Sequence, residues 1–359
     1  MVASPRRLRR ITRVLVTGGA GFIGSNFVHR TVGTRPEVEV TVLDAMTYAA
    51  NPANLAGLQD HGVTVVEGSV CDVDLVDRLI RELASSADRG EAAVVHFAAE
   101  SHNDNALRDP LRFVHTNTEG TAVLAEACVR HGVHLHHVST DEVFGDLPLR
   151  GSGLPGAEDR FTVDSPYRPS SVYSASKASA DHLVRAFVRS HGLSATISNC
   201  SNNYGPRQHP EKFLPRQITG LIEGESPRVY GSGENVRDWI HVDDHNDAVW
   251  AVLDRGVSGG TYLIGADGER SNVDCVRALN VLFGRPADDF VRVTDRPGHD
   301  LRYAVDPSSV RELGWTPRYT DFPEGLAATV RWYRDHRGWW ETSRKDAESA
   351  YRDREEVLG

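Results

Sequence analysis

The sequence predicts an α/β fold built on a doubly wound parallel sheet, with a smaller mixed α/β lobe towards the C-terminus. Three observations carry that expectation. Short β-branched runs alternate with amphipathic stretches through the first half of the chain. A glycine-rich turn joins the first strand to the first helix. After about residue 203 the texture changes, and Pro206, Pro210, Pro215, Pro227, Pro297, Pro307, Pro317 and Pro323 punctuate shorter segments.

Residues 14–17, 38–44, 63–67, 93–98 and 135–140 read as strands, and residues 22–31, 73–86 and 118–131 as helices. Such alternation implies right-handed crossovers and helices on both faces of a parallel sheet. A longer helix is expected from about 171 to 191, then a buried run over 194–199. The chain is expected to divide into a disordered extension over 1–12, a Rossmann-type domain over 13–203, a lobe over 204–340 partly interleaved with it, and a polar tail or helix over 341–359.

Composition removes several function classes. The chain has 359 residues, 40% hydrophobic and 25% charged, with a formal net charge of -10. An acidic balance gives no general attraction for nucleic acid or an anionic membrane. No apolar run reaches the roughly 18 residues of a membrane span. The N-terminal arginines (Arg6, Arg7, Arg9, Arg10, Arg13) flank no apolar signal-peptide core. Cys71, Cys128, Cys200 and Cys275 stand far apart with no CxxC pair, which fits a reducing cytoplasm better than disulfides or zinc. His134, His136 and His137 suggest no metal either. On a strand the first two share a face and the third points away, with no acidic ligand set beside them. Trp332, Tyr333, Trp339 and Trp340 read as C-terminal packing.

The first chemical signal is Gly18-Gly-Ala-Gly21-Phe22-Ile23-Gly24, between strand and helix. Glycines there permit a tight turn and let backbone approach a pyrophosphate, to which the helix N-terminus offers free N–H groups. Asp44 ends the second strand twenty residues after Gly24. A carboxylate there accepts both ribose hydroxyls and repels a 2′-phosphate. Ala45 and Met46 follow it rather than arginine, so NAD is favoured over NADP.

The second signal is Tyr173-Ser-Ala-Ser-Lys177, whose ends share a helix face. A nearby ammonium and a cationic nicotinamide are expected to lower the phenol pKa and make Tyr173 a base for a sugar hydroxyl. Only three lysines occur (Lys177, Lys212, Lys345), so a lysine kept at this spacing carries weight. The third signal is Ser139-Thr140-Asp141-Glu142 at the end of a strand, where parallel sheets bind ligands. A simple redox enzyme or a 4-epimerase needs the Thr140 hydroxyl and the tyrosine but has no work for two adjacent carboxyls. Elimination of water does: one takes a proton alpha to a new ketone, the other protonates the departing hydroxyl. An ordinary turn or helix cap remains the alternative for the pair.

Beyond these signals, the segments 139–146 (Ser-Thr-Asp-Glu-Val-Phe-Gly-Asp), 96–102 (His-Phe-Ala-Ala-Glu-Ser-His), 199–206 (Asn-Cys-Ser-Asn-Asn-Tyr-Gly-Pro), 210–215 (Pro-Glu-Lys-Phe-Leu-Pro), 237–239 (Arg-Asp-Trp) and 295–300 (Asp-Arg-Pro-Gly-His-Asp) resemble the dTDP-glucose 4,6-dehydratases of the extended short-chain dehydrogenase/reductase family, from about Val14 to Trp340. The resemblance implies dehydration of dTDP-glucose to the 4-keto-6-deoxy sugar: oxidation at C4, elimination across C5 and C6, and return of the hydride to C6, with NAD regenerated. It gives Tyr173 the 4-hydroxyl proton, Glu142 the C5 proton and Asp141 the C6 hydroxyl. It adds Thr47, Ser69, Val70, Phe97, Ala98, Ala99, Ser101, Thr116 and Asn203 to the cofactor site, with Tyr173 and Lys177.

For the substrate, the resemblance implies Ser101, Thr140 and Asn202 at the sugar, and Lys212, Phe213, Arg228, Tyr230, Arg237, Asn272, Arg296 and His299 at the diphosphate and nucleoside. It implies a homodimer through the helices over 118–131 and 171–191, forming a four-helix interface. Departures from the family pattern are Phe144, Asn105 and Ser69, together with Arg207 and Gln208 in a neighbouring loop. Arginine bias and a deoxysugar product together suggest a bacterial secondary-metabolite pathway. A UDP-sugar 4-epimerase or decarboxylase of the same fold, or a non-enzymatic NAD-binding sensor or scaffold, are the rival readings.

Overall fold

Successive side chains of a strand face opposite ways, and the first strand shows it: Val14 and Val16 enter one apolar cluster and Leu15 the other. The computed structural model describes residues 10–85, 92–102, 106, 108–295 and 300–352. Strands β1 (Arg13–Thr17), β2 (Glu39–Asp44), β3 (Thr64–Glu67), β4 (Ala92–His96), β5 (His134–Thr140) and β6 (Ala195–Cys200) pair in parallel. β7 (Asn202–Tyr204), β8 (Arg228–Tyr230) and β9 (Val236–His241) then run through the lobe. β10 (Thr261–Ile264) returns to the main sheet beside β6, giving the order β10-β6-β5-β4-β1-β2-β3. β11 (Glu269–Ser271) pairs with β9, and β12 (Val291–Val293) with β8.

Helices cover both faces of the sheet, as a parallel sheet requires. α1 (Phe22–Thr34), α2 (Val73–Ser85), α3 (Gly120–His131), α4 (Val172–His191), α5 (Phe213–Ile222) and α6 (Val242–Arg255) precede α7 (Asn272–Leu282), α8 (Phe322–Asp335) and α9 (Arg337–Arg352). α1 and α6 lie on one face, where Phe27 stacks on Trp250 at 5.5 Å. α2, α3 and α4 fill the other with Leu79, Ile80, Leu124 and Val184. α4 starts at a capping box: Ser171 accepts the Ser174 N–H while the Ser174 hydroxyl accepts that of Ser171.

Some boundaries differ from expectation. The helix expected from 118 begins as a π turn over Val114–Glu119, so α3 proper starts at Gly120. The widened turn lets the Asn117 amide bond both backbone groups of Glu100, and such turns recur at functional sites. Residues 1–9 and 353–359 lie outside the described residues. Within the extension expected over 1–12, Ile11 is buried and the Thr12 carbonyl accepts the Glu39 N–H, so residues 10–12 already join the sheet. Of the two readings of the polar C-terminal stretch, the helix is the one seen as far as Arg352. No described helix is long and apolar enough to cross a membrane.

The histidines of β5 split between the faces as their alternation requires. His134 and His136 bond the hydroxyls of Ser194, Thr196 and Ser198, while His137 pairs with Asp181. Burial pushes His134 down to about 3 and His137 and His245 to about 4, with His96 and His136 also well below the usual 6.5. Unfolded, these rings take protons near pH 6.5; folded, they do not until far lower. Stability is therefore greatest above about pH 6.5 and falls as pH drops towards 4. The thermal midpoint should fall progressively between pH 7.5 and 5; an unchanged midpoint would contradict neutral buried rings.

Candidate active site

The glycine turn is dictated by close approach. A Cβ on Gly24 would lie 2.3 Å from the Gly18 carbonyl oxygen, and one on Gly18 would lie 2.6 Å from the Ala98 nitrogen. Gly21 differs: its Cβ would meet only the Gly18 oxygen, at 3.3 Å, yet Gly21 lines a large cavity. Space at Gly21 is thus kept on the cavity side. α1 has no side-chain cap and no acid in its first turn. Its first N–H groups suit an anion better than solvent alone would.

That cavity, about 460 Å³, runs along the carboxyl ends of the sheet strands. It gathers every residue assigned to the cofactor: Gly18, Gly21, Phe22, Ile23, Gly24, Asp44, Thr47, Ser69, Val70, Phe97, Ala98, Ala99, Ser101, Thr116, Tyr173, Lys177 and Asn203. Asp44 is held by the N–H groups of Ala20 (2.8 Å) and Met46 (2.9 Å), and burial raises its pKa. Buried side-chain oxygens of Ser139, Asp141, Ser201, Asn202, Asn203 and Gln208 line the same space without a protein partner. A donor-lined helix end, a paired-oxygen carboxylate and a polar row awaiting partners fit NAD.

Thr140, Asp141 and Glu142 lie in this cavity with Tyr173 and Lys177. The strand ends at Thr140, and a single 3-10 turn over Asp141–Phe144 follows. The Thr140 hydroxyl accepts the Glu142 N–H at 3.3 Å and donates to Asp141 Oδ1 at 3.3 Å. Burial, then the Glu142 charge, raises the Asp141 pKa well above the usual carboxylate range. The shift favours the protonated acid.

The tyrosine departs from expectation. Burial first, and then the Glu142 charge, push Tyr173 well above its ordinary value rather than below it. The Lys177 ammonium, expected to lower it, instead donates to the Val138 carbonyl at 2.8 Å and lies 3.4 Å from His137 Nε2. Burial brings Lys177 itself down to about 8 against the opposing pull of Asp181. Lowering of the phenol therefore falls to positive charge from outside the chain, such as an oxidised nicotinamide ring.

A second cavity of about 200 Å³ adjoins the first, and Ser101, Glu142, Asn202, Asn203, Gln208, Glu211 and Lys212 line both. Phe213, Tyr230, Arg237 and Asn272 line the second, as the substrate assignment requires. Arg228 lines neither; the Gln217 amide clamps its backbone on both sides. Arg296, His299 and Asn105 lie outside the described residues. Phe144 packs in an apolar cluster, 5.1 Å from Phe161. Asp181 escaped notice in the sequence, although it continues the Tyr173 and Lys177 spacing by four more residues on the same helix face. It is fully buried, 3.2 Å from His137.

Comparisons with known proteins bear on this geometry. Residues 14–265 match the NAD dependent epimerase/dehydratase family. The dTDP-glucose 4,6-dehydratase of Mycobacterium tuberculosis is 56% identical over 343 residues, covering 95% of this chain and 99% of that protein. A crystal structure of DesIV, a dTDP-glucose 4,6-dehydratase from Streptomyces venezuelae with NAD bound, is 44% identical with a TM-score of 0.83 and covers 92% of this chain and 99% of that one. The UDP-glucose 4-epimerase of Thermotoga maritima is more distant, at 27% identity and a TM-score of 0.79 over 90% of this chain and 99% of that one. The chain belongs to the NAD-dependent epimerase/dehydratase family, in its dTDP-glucose 4,6-dehydratase branch.

Proposed function

We propose that the chain dehydrates dTDP-glucose to dTDP-4-keto-6-deoxyglucose in deoxysugar biosynthesis. The observation that carries this is the pair Asp141 and Glu142, set beside Thr140 and Tyr173 in one cavity. Oxidation or epimerisation at C4 leaves both carboxyls idle, whereas elimination of water uses each.

NAD, bound along the glycine turn and Asp44, supplies a hydride acceptor for C4 and a hydride donor for C6. Tyr173 Oη takes the proton of the 4-hydroxyl. Thr140 Oγ1 has one hydrogen and two lone pairs. It donates to Asp141 while accepting the Glu142 N–H, which leaves a lone pair for the phenol. Once C4 is a ketone, the C5 proton is acidic and Glu142 takes it. Asp141 protonates the C6 hydroxyl as water departs, and Glu142 returns a proton to C5. The site ends with the protons it began with if the proton from O4 passes from Tyr173 through Thr140 to Asp141. Lys212 and Arg237 carry positive charge to the diphosphate in an otherwise acidic chain.

We further propose a cytoplasmic homodimer pairing through α3 and α4. Exposed Leu111 and Val114 lie beside these helices and exposed Val172 is the first residue of α4, and the cysteines are free thiols.

Incubation with dTDP-glucose should yield the alkali-induced absorbance of a 4-keto-6-deoxy sugar; a C4 epimer as product would sink the assignment. Among dTDP-, UDP- and GDP-glucose, dTDP-glucose should give the highest kcat/KM. Glu142→Gln should arrest turnover after C4 oxidation, so that reduced nicotinamide absorbance builds up on the enzyme while product formation falls by roughly a hundredfold or more. Normal product formation by that variant would remove Glu142 as the C5 base.

A further inference from the structure

Trp332, Tyr333, Trp339 and Trp340 pack together towards the C-terminus, as the sequence implies. Trp339 lies 5.0 Å from Trp332 and 6.3 Å from Tyr333, and the Trp340 indole donates to the Tyr333 carbonyl. Packing does not account for the polar edge of Trp339. Its Nε1 points out of the cluster and donates to Asn54 Oδ1 at 2.8 Å, joining α9 to the cofactor-binding part of the chain.

Asn54 sits in a single 3-10 turn, Pro52–Leu55, that follows β2. It is buried, and all four of its polar groups are engaged. Its N–H donates to the Asn51 carbonyl at 2.8 Å, and its carbonyl accepts from His29 Nε2 on α1 at 2.8 Å. Its Oδ1 takes the Trp339 indole, and its Nδ2 donates to the Ala20 carbonyl at 2.9 Å. An indole N–H only donates and a carbonyl only accepts, so one orientation of the amide serves both partners.

Ala20 is the one residue with a side chain in the run Gly18-Gly19-Ala20-Gly21. Glycine is the most permissive backbone, so local sterics do little to hold such a turn in one shape. Bonds to its peptide planes supply what sterics do not, because each plane is rigid. Asp44 takes the Ala20 N–H at 2.8 Å and fixes the plane before Ala20. Asn54, with the Asn51 N–H at 3.1 Å, takes the Ala20 carbonyl and fixes the plane after it. The opposite edge of that second plane is the Gly21 N–H, at the start of α1.

We propose that Asn54 is a positioning residue for NAD, held in place by Trp339, so that the last helix braces the glycine turn in the shape that receives the pyrophosphate. A turn shaped before binding loses less freedom on binding, and the cofactor is retained longer. The amide is the group this place requires, since a carboxylate would keep the acceptor for Trp339 but lose the donor for Ala20. The inference rests on reading the glycine turn as the pyrophosphate site of NAD.

The test is a double-mutant cycle on the full-length protein loaded with NAD. The readouts are the rate at which bound NAD exchanges with labelled NAD in solution, and the Kd of the same loaded protein for dTDP. Asn54→Ala removes both side-chain bonds and should speed exchange roughly tenfold. Trp339→Phe keeps the ring packing but not the N–H, and should speed it roughly threefold. The double variant should exchange no faster than Asn54→Ala, because Trp339 acts through Asn54. The Kd for dTDP should stay within about twofold in all three, a split that general loosening of the fold would not give. If Asn54→Ala fails to fold, Trp339→Phe decides. An unchanged exchange rate in either single variant, effects that multiply in the double, or a dTDP Kd that rises in step would overturn the proposal alone. Failure of the unaltered chain to bind NAD would overturn the reading of the glycine turn, and this inference with it.

Discussion

Lys177 has almost no contact with water, and much of the site depends on how its charge is accommodated. An unpaired ammonium in such a place is prohibitive. Here it donates to the Val138 carbonyl on β5, beside His137, which meets Asp181 on α4. Asp181 in turn accepts from the Tyr167 hydroxyl at 2.7 Å and the Asn199 amide at 3.0 Å, and Asn199 also donates to the Thr140 carbonyl. One buried network therefore pins α4 to β5 and β6. Tyr173 stands one turn before Lys177 on that helix. Its place beside Thr140, Asp141 and Glu142 follows from the anchoring of its neighbour.

The same network explains why burial does chemical work at this end of the sheet. Low access to water raises Asp141 and Tyr173 and lowers Lys177, each in the direction that disfavours the charged form. Asp141 is left as an acid next to Glu142. Tyr173 is held as a phenol. The acidic overall charge is no obstacle, since Lys212 and Arg237 lie at the second cavity where a diphosphate would sit.

Much of this was legible in the amino-acid order because it depends on local spacing. A period of two in β1, a glycine turn between strand and helix, and tyrosine and lysine one helical turn apart each imply geometry directly. Less was legible where distant segments meet. The Asp181 network draws on α4, β5 and β6 at once, and no single window contains it. The direction of the Tyr173 shift could not follow from spacing, because it depends on where the lysine points and how deep the pocket lies. Trp339 and Asn54 meet only after the chain has folded back on itself. Arg228 shows the reverse case, a residue with the right neighbours whose side chain lines neither cavity.

At the centre of the account is a hydride lent by the sugar and taken back by the same sugar. It is tested most directly by following deuterium placed at C4 of dTDP-glucose. The account predicts that the label appears at C6 of the 4-keto-6-deoxy product within a single turnover, with no reduced cofactor released. Label that stays at C4, or that is lost to a reduced cofactor in solution, would contradict it.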